Sequence, residues 1–340
     1  VNTRAAFRSH HHNTNTHAPT QEPAATSGRT STSTSASASS STSAKSATTS
    51  SAASSSSTTG SKSATSGATS SASSSTTAAA ASTSTSGSSS GSTDLCAVTA
   101  TSSEPLKILV PLYSYPGSDW DNVASAASAG AQIIAIINPS SGPIASGPDS
   151  TWTTYMNKLT AAGVEMVGYV HTSYGARASS DVTGDVDVYA SKYPGLKGIF
   201  LDEVSADASE ISYYQTVYSH ISGISGYSNT ILNPGTQPDE GYLAVSTSIV
   251  IFESPASSLS SNFASWVTCA SSSSAKSGYK YKFAGIAYGA SSSEMSSVLS
   301  TMESAGMGLV YVTDGASGCC TYNTLASYFS SEASAVAALN

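Results

Sequence analysis

From residue 104 onward, the sequence contains eight short apolar runs separated by longer, more polar segments. The runs occupy residues 107–113, 132–138, 165–171, 198–203, 230–233, 249–253, 282–288 and 308–314. Near-continuous apolar strands that alternate with helices are typical of a parallel sheet covered on both faces. We therefore predict an α/β fold, a (β/α)8 TIM-type barrel, because eight such repeats fit within the roughly 250 residues that this barrel needs.

A doubly wound open sheet is the alternative arrangement of the same elements. It usually has fewer strands, and no Gly-rich phosphate-binding loop follows the first apolar run. The sequence predicts about eight helices. The spacing of apolar residues places six of them at residues 120–129, 151–162, 185–192, 209–222, 292–305 and 322–339. The barrel is the preferred prediction.

The chain before residue 104 has a different composition. Residues 26–103 are mostly Ser, Thr, Ala and Gly, and no aromatic or large aliphatic side chain occurs in 26–93. Such a segment cannot bury enough apolar area to offset its ordering entropy, so we predict a disordered stalk. Ser/Thr-rich secreted segments are often O-glycosylated, and an unmodified linker is the alternative. We predict a polar N-terminal peptide over residues 1–25 and the barrel domain over residues 104–340.

Two features of the sequence predict an extracellular protein. The chain begins with Val1 rather than Met, as expected after removal of a secretory signal peptide. Cys96, Cys269, Cys319 and Cys320 show no zinc-ligand spacing, which favours two disulfides. The adjacent cysteines would need separate partners, Cys96 being one candidate, and the connectivity stays open. We expect a secreted, extracellular or cell-wall-associated protein with no membrane span, since no run approaches about 18 apolar residues.

The charge of the barrel region narrows the class of ligand. Residues 104–340 carry 8 Lys or Arg and 19 Asp or Glu, a net charge of −11. This balance argues against nucleic acid, because phosphates favour a basic face. It is compatible with a neutral or cationic ligand. We expect a monomer without metal or cofactor.

Nearly every predicted strand ends in a polar or aromatic residue, although the strand bodies are apolar. These residues are Tyr113, Tyr115, Asn138, His171, Asp202, Glu203, Asn233, Glu253, Tyr288 and Asp314. The carboxyl ends of barrel strands carry the active site in this fold, so the set predicts one site.

Carboxylates at these strand ends favour glycoside hydrolysis, which uses two carboxyl groups on either side of the scissile bond. Asp202, Glu203, Glu253 and Asp314 are the candidates, and the ends of strands four and six approach one another across a barrel mouth. Consecutive strand residues point to opposite faces. The sequence therefore leaves open whether Asp202 or Glu203 faces inward.

Other side chains at the strand ends suit a sugar ligand. Tyr113, Tyr115, Tyr174 and Tyr288 could stack on the apolar faces of sugar rings, and His171 could orient a carboxylate or bind a hydroxyl. A Ser-His-Asp hydrolase is less favoured, because residues 104–340 contain no G-x-S-x-G motif. A metal site is also disfavoured, since the histidine and the carboxylates have no local ligand spacing.

Five segments together resemble the spherulin-4 (spherulation-specific) family, the fungal group classed as glycoside hydrolase family 135. They are VPLYSYP at 110–116, INPSSGP at 137–143, GYVH at 168–171, GIFLDE at 198–203 and FE at 252–253. The resemblance spans about 107 to 314. It implies a (β/α)8 barrel and an endo-acting, retaining hydrolase of α-1,4-linked N-acetylgalactosamine in galactosaminogalactan, a fungal exopolysaccharide.

The resemblance also implies roles for three acids. The family's acidic triplet matches Asp202, Glu203 and Glu253. Asp202 is expected as nucleophile or charge stabiliser, Glu253 as general acid/base, and Glu203 as a supporting or alternative acid. Two alternatives remain: a hydrolase of another amino-sugar polymer, and a non-catalytic cell-wall or spore-coat protein that binds glycan.

Overall fold

The computed structural model describes residues 105–260, 263–264, 267, 280–318 and 321–340. Eight parallel strands in sequence order close a barrel, in which the last strand pairs with the first. The strands are β1 Lys107–Leu112, β2 Ile133–Ile137, β3 Glu165–His171, β4 Leu196–Asp202, β5 Asn229–Leu232, β6 Ser248–Pro255, β7 Phe283–Tyr288 and β8 Leu309–Val312. The predicted α/β barrel is confirmed.

Six α-helices surround the barrel in the part of the chain that the structure describes. They are α1 Ser118–Ser128, α2 Ser150–Ala161, α3 Ser179–Lys192, α4 Ile211–Ser222, α5 Met295–Ser304 and α6 Phe329–Ala338. The connection from β5 to β6 contains the 3-10 helix Glu240–Val245 instead of an α-helix. Pro234 and Pro238 occur in this connection, and proline interrupts α-helical hydrogen bonding. No α-helix therefore forms in this connection, and the described residues contain six of the about eight predicted.

Two helices begin six or more residues from their predicted starts. α3 begins at Ser179, six residues before the predicted start. α6 begins at Phe329 rather than at 322, because the preceding residues form a loop across the barrel end. In that loop the Ser327 amide donates to Asp314 Oδ1 at 3.1 Å. The loop carries Tyr322.

The strand bodies form the hydrophobic core. All five residues of β2 are buried, as are the last five of β1. Gly198 is needed where β4 meets β5, because a Cβ there would lie 1.9 Å from the Asn229 carbonyl oxygen. Gly168 leaves room for the Tyr189 ring, 2.8 Å from where a Cβ would be. Since all the strands are parallel, their carboxyl ends lie on one rim, here called the mouth.

The sequence predictions for the rest of the chain lie outside the described residues. These are the polar peptide 1–25, the stalk 26–103 and any disulfide among the four cysteines. No helix within the described ranges is both long and apolar enough to cross a membrane.

Candidate active site

Asp202, the last residue of β4, points into the mouth. Its Oδ2 accepts a hydrogen bond of 2.7 Å from the hydroxyl of Tyr169 in β3. The Tyr169 ring also meets the ring of Tyr113, which follows β1, with centroids 5.7 Å apart. Strands β1 and β3 are not neighbours, so these rings meet inside the barrel. The structure thus shows which of the two adjacent acids faces into the barrel. Phe200 and Asp202 face inward, and Phe200 stacks on Tyr169.

A single amide joins the two carboxylates from strands β4 and β6. Asn233 Nδ2 lies 2.8 Å from Asp202 Oδ1 and 2.7 Å from Glu253 Oε2. The two carboxylate oxygens are therefore at most about 5.5 Å apart. Asn233 Oδ1 accepts from the Gly235 amide at 3.0 Å, which fixes the orientation of the side chain. Asn233 is buried, so it is a rigid spacer between two half-buried acids.

Glu253 has a second hydrogen-bond donor from the loop after β8. The Tyr322 hydroxyl lies 2.7 Å from Glu253 Oε1. The Tyr322 ring packs edge-on against Tyr113, with centroids 6.1 Å apart. Tyr113 thus contacts the two tyrosines that hold the two acids.

The environments of the two acids differ. Burial raises the pKa of Asp202, while hydrogen bonds from Tyr169, the Glu203 amide and Asn233 oppose this rise, as does the nearby His171. Burial and the charge of Asp202 raise the pKa of Glu253, with opposition from Asn233 and Tyr322. The larger number of donors at Asp202 favours its ionised form, and Glu253 is the acid more readily kept protonated.

Glu203 lies outside this hydrogen-bonded pair. Its backbone has φ 52°, a left-handed conformation that turns the chain immediately after β4. Its carbonyl oxygen accepts from the Tyr174 amide at 2.6 Å and from Thr172 Oγ1 at 2.8 Å. The half-exposed Glu203 side chain makes no hydrogen bond to another described residue. The predicted acidic triplet is therefore a linked pair and a separate neighbour.

Tyr174 lies on a strained turn above the acids. Ser173, Tyr174 and Gly175 have φ of 49°, 58° and 88°, which is costly for the two residues that carry a Cβ. Thr172, fully buried, holds the turn by hydrogen bonds to β4. The Tyr174 side chain is exposed. Partial burial and the charges of Glu203, Asp202 and Glu253 raise the pKa of Tyr174.

Three other predicted binding residues lie at or just after the ends of β1, β2 and β3. Asn138 is buried, and its Oδ1 accepts from the Gly142 amide at 3.0 Å. His171 pairs with Asp202 in the strand register, and its Nδ1 is 3.3 Å from the Ser141 carbonyl oxygen. Tyr115 is exposed and donates to Asp149 Oδ2 at 3.1 Å, on the rim rather than among the acids.

The last two predicted residues lie after β7 and β8. Tyr288 is half-buried at the end of β7, in register with Pro255. Asp314 is exposed and accepts a hydrogen bond from the Ser327 amide, so this contact stabilises a loop and does not reach the linked acids. No group of three or more His, Cys, Asp or Glu residues that could hold a metal ion occurs within the described ranges.

Two tyrosines at the site, Tyr169 and Tyr322, are not among the residues predicted from the sequence. Tyr169 was detectable in principle, since it lies two residues before His171 and therefore on the same face of β3. Tyr322 gave no such signal, because it comes from a loop and was assigned to a helix.

Comparisons with known proteins agree with this architecture. The model of the Spherulation-specific family 4 (Spherulin4) matches residues 107–336. Spherulin-4 of Physarum polycephalum is 72% identical over 240 residues, covering 70% of this chain and 72% of that protein. The crystal structure of Aspergillus clavatus Sph3 in complex with GalNAc is similar in fold, with a TM-score of 0.60 and 24% identity over 68% of this chain and 98% of that one. The chain therefore belongs to the Spherulation-specific family 4.

Proposed function

We propose that the barrel is a retaining glycoside hydrolase with Asp202 and Glu253 as its two working carboxylates. The observation that carries the proposal is the shared Asn233 amide, which keeps their nearest oxygens within about 5.5 Å. Retaining glycosidases have carboxyl groups about 5–5.5 Å apart, and inverting enzymes need about 6.5–9.5 Å to admit a water molecule. The short separation therefore favours a double displacement.

The environments of the acids support distinct roles. In the first step Glu253 donates its proton to the glycosidic oxygen while Asp202 attacks the anomeric carbon, giving a glycosyl-enzyme ester and a free sugar end. In the second step Glu253 removes a proton from water, which attacks the same carbon and releases Asp202. Asp202 has the donors that stabilise a carboxylate, and the raised pKa of Glu253 suits a general acid. Glu203 is a supporting acid at the rim.

For the substrate, we propose α-1,4-linked N-acetylgalactosamine in a galactosaminogalactan-type exopolysaccharide, cleaved within the chain. The Sph3 crystal structure holds GalNAc, and the acidic domain is compatible with an amino-sugar polymer. Tyr115 and Tyr174 are exposed after different strands, β1 and β3, which suits an extended chain of stacked sugar rings. A secreted or wall-associated protein would meet such a polymer.

The test is incubation of the full chain with a panel of defined glycans, galactosaminogalactan included, followed by NMR of the earliest products. Shortened oligosaccharides whose new reducing ends are first α are expected, since double displacement retains configuration. Early β products would contradict the retaining mechanism. A protein that binds the polymer without shortening it would be a non-catalytic wall or coat protein, and the proposal would fail.

A further inference from the structure

We propose that Tyr322 is a positioning residue for Glu253, and that its hydroxyl donates a hydrogen bond to Glu253 when this acid is ionised and accepts one when it is protonated. The inference rests on the proposed function, because it concerns the acid/base step of that reaction. It assigns a role to a residue outside the acidic triplet and outside the strands.

The hydrogen-bonding chemistry around Glu253 carries the argument. A carboxylate only accepts hydrogen bonds, whereas a carboxylic acid must also donate one. Asn233 presents Nδ2 to Glu253 Oε2, and an amide nitrogen can only donate. The amide oxygen of the same side chain is used by Gly235. Asn233 can therefore serve the ionised form of Glu253 but cannot receive its proton.

Tyr322 can serve both forms. A phenol hydroxyl donates and accepts, and this one lies 2.7 Å from Glu253 Oε1. Burial and the charge of Glu253 raise the pKa of Tyr322 well above its ordinary value, so the hydroxyl keeps its proton. Glu253 thus has a neutral partner at hydrogen-bond distance in each half of the reaction.

The loop around Tyr322 is built to hold this position. Thr321, which is buried, donates to the carbonyl oxygens of Ala316 and Gly318 at 2.8 and 3.0 Å. Gly315 permits the loop to close, because a Cβ there would lie 2.2 Å from the Thr321 carbonyl oxygen. Contact with Tyr113 then fixes the ring. The contacts of Thr321 and Gly315 with the loop backbone and the ring contact with Tyr113 therefore hold the Tyr322 hydroxyl at Glu253.

Tyr169 provides the matching contact at Asp202, with the same distance of 2.7 Å. Asp202, however, also has the Glu203 amide and His171 nearby, so it depends less on one hydroxyl. Loss of either hydroxyl removes a donor to a carboxylate and raises that carboxylate's pKa. The two losses should act on opposite limbs of the pH–rate profile, because Asp202 must be ionised and Glu253 protonated.

The experiment compares kcat/KM against pH for the full chain and three Tyr-to-Phe variants. Tyr322→Phe should move the alkaline limb upward by about one pH unit, since the hydrogen bond that the hydroxyl donates to the ionised carboxylate is stronger than the one that it accepts from the protonated form. Its maximal kcat/KM should fall about tenfold, the loss of one such contact. Tyr169→Phe should move the acidic limb upward. Tyr328→Phe is the matched control, because its buried hydroxyl binds the Ala290 carbonyl and neither acid.

A second variant keeps the ring and the fold. Replacing Tyr322 with 2,3-difluorotyrosine makes the hydroxyl a better donor and a poorer acceptor, so the alkaline limb should move downward instead. Superimposable profiles for Tyr322→Phe, the fluorinated protein and the Tyr328→Phe control would overturn the inference.

A titration separates this inference from the proposed function. In protein labelled with 13C at Glu carboxyls, the Glu253 midpoint should be about one unit higher in Tyr322→Phe than in the wild type. That measurement needs no substrate. If the wild type cleaves no glycan but the midpoint moves, the hydrolase proposal fails and the Tyr322 contact stands. An unchanged midpoint overturns the role of Tyr322 whatever the activity.

Discussion

Acids at the mouth of the barrel and in its outer layer differ in their hydrogen-bond donors and in their exposure to solvent. Glu332 in α6 is fully buried, its Oε1 accepts from the Val312 amide at 2.7 Å, and its Oε2 has no hydrogen-bond partner among the described residues. Burial therefore raises its pKa well above the ordinary value. At the mouth, Asp202 and Glu253 are partly buried and share Asn233. An acid with one donor and no solvent contact is held neutral, whereas paired acids with several donors can titrate and react.

The two regions also differ in backbone strain. The non-glycine residues with left-handed φ in the described chain are Ser141, Ser173, Tyr174 and Glu203. All four follow β2, β3 or β4 at the mouth. Strain of this kind is often concentrated at functional sites, where surrounding contacts impose it. The strained backbone of the described chain is therefore at the mouth, where it places the side chains of the candidate site.

Removing a mouth carboxylate should have the largest effect. Asp202→Asn and Glu253→Gln should each lower kcat by about 10³-fold or more, because each removes a group that reacts directly. Stability should not fall, since each change removes a buried ionisable group. Asp121→Asn is the control, an exposed acid paired with Lys158. Thermal melts and initial rates on the same samples check this, and unaltered rates in both variants would contradict the assignment.

Removing the spacer should have the next largest effect. Asn233→Ala deletes a donor from each acid, so both pKa values should rise and kcat/KM should fall about 100-fold. The whole pH–rate profile should move upward, in contrast to the single-limb shifts expected for the tyrosines. If kcat/KM fell but its pH dependence did not change, Asn233 would contribute only to folding.

Glu332→Gln tests whether the buried acid in the outer layer is held neutral. The folded state of the wild type holds the Glu332 proton more tightly than the unfolded state, so the free energy of unfolding should decrease as pH rises above the ordinary glutamate pKa. The Gln variant lacks this dependence. Its Tm relative to wild type should therefore rise by a few degrees, about the effect of 1–2 kcal/mol, between pH 4 and pH 8. A constant difference in Tm across that range would show that Glu332 does not titrate on unfolding.

The smallest effect concerns strain at the mouth. Tyr174→Gly should raise the free energy of unfolding by about 1 kcal/mol, because glycine adopts a φ near 58° without penalty. Loss of the exposed ring should raise KM more than it lowers kcat. Urea unfolding and steady-state kinetics measure the two effects. Tyr115→Gly is a comparison at an equally exposed tyrosine outside the left-handed set, and it should not be stabilised.

The barrel was predictable because its information is local. Each strand is a continuous apolar run, and eight runs separated by helical segments leave few arrangements. Asn233 and Glu253 were predictable for the same reason, as polar residues at strand ends. Which of Asp202 and Glu203 faces inward was not predictable from the sequence. It depends on which face of β4 lies inside the barrel.

Contacts from irregular segments could not be predicted. Tyr322 reaches Glu253 across 69 positions of sequence, through a loop whose shape depends on Thr321 and Gly315. The left-handed turn at Tyr174 likewise depends on Thr172 and β4, which only the folded barrel brings together. Loop conformation follows from tertiary contacts, and side-chain pattern alone does not encode those contacts.

The most direct test of the paired-carboxylate account is the site of covalent labelling by a 5-fluoro-α-N-acetylgalactosaminyl fluoride. Double displacement predicts an ester on Asp202, found by peptide mass spectrometry in the wild type and absent from Asp202→Asn. Labelling of Glu203 or Glu253 instead, with Asp202 unmodified, would contradict the account.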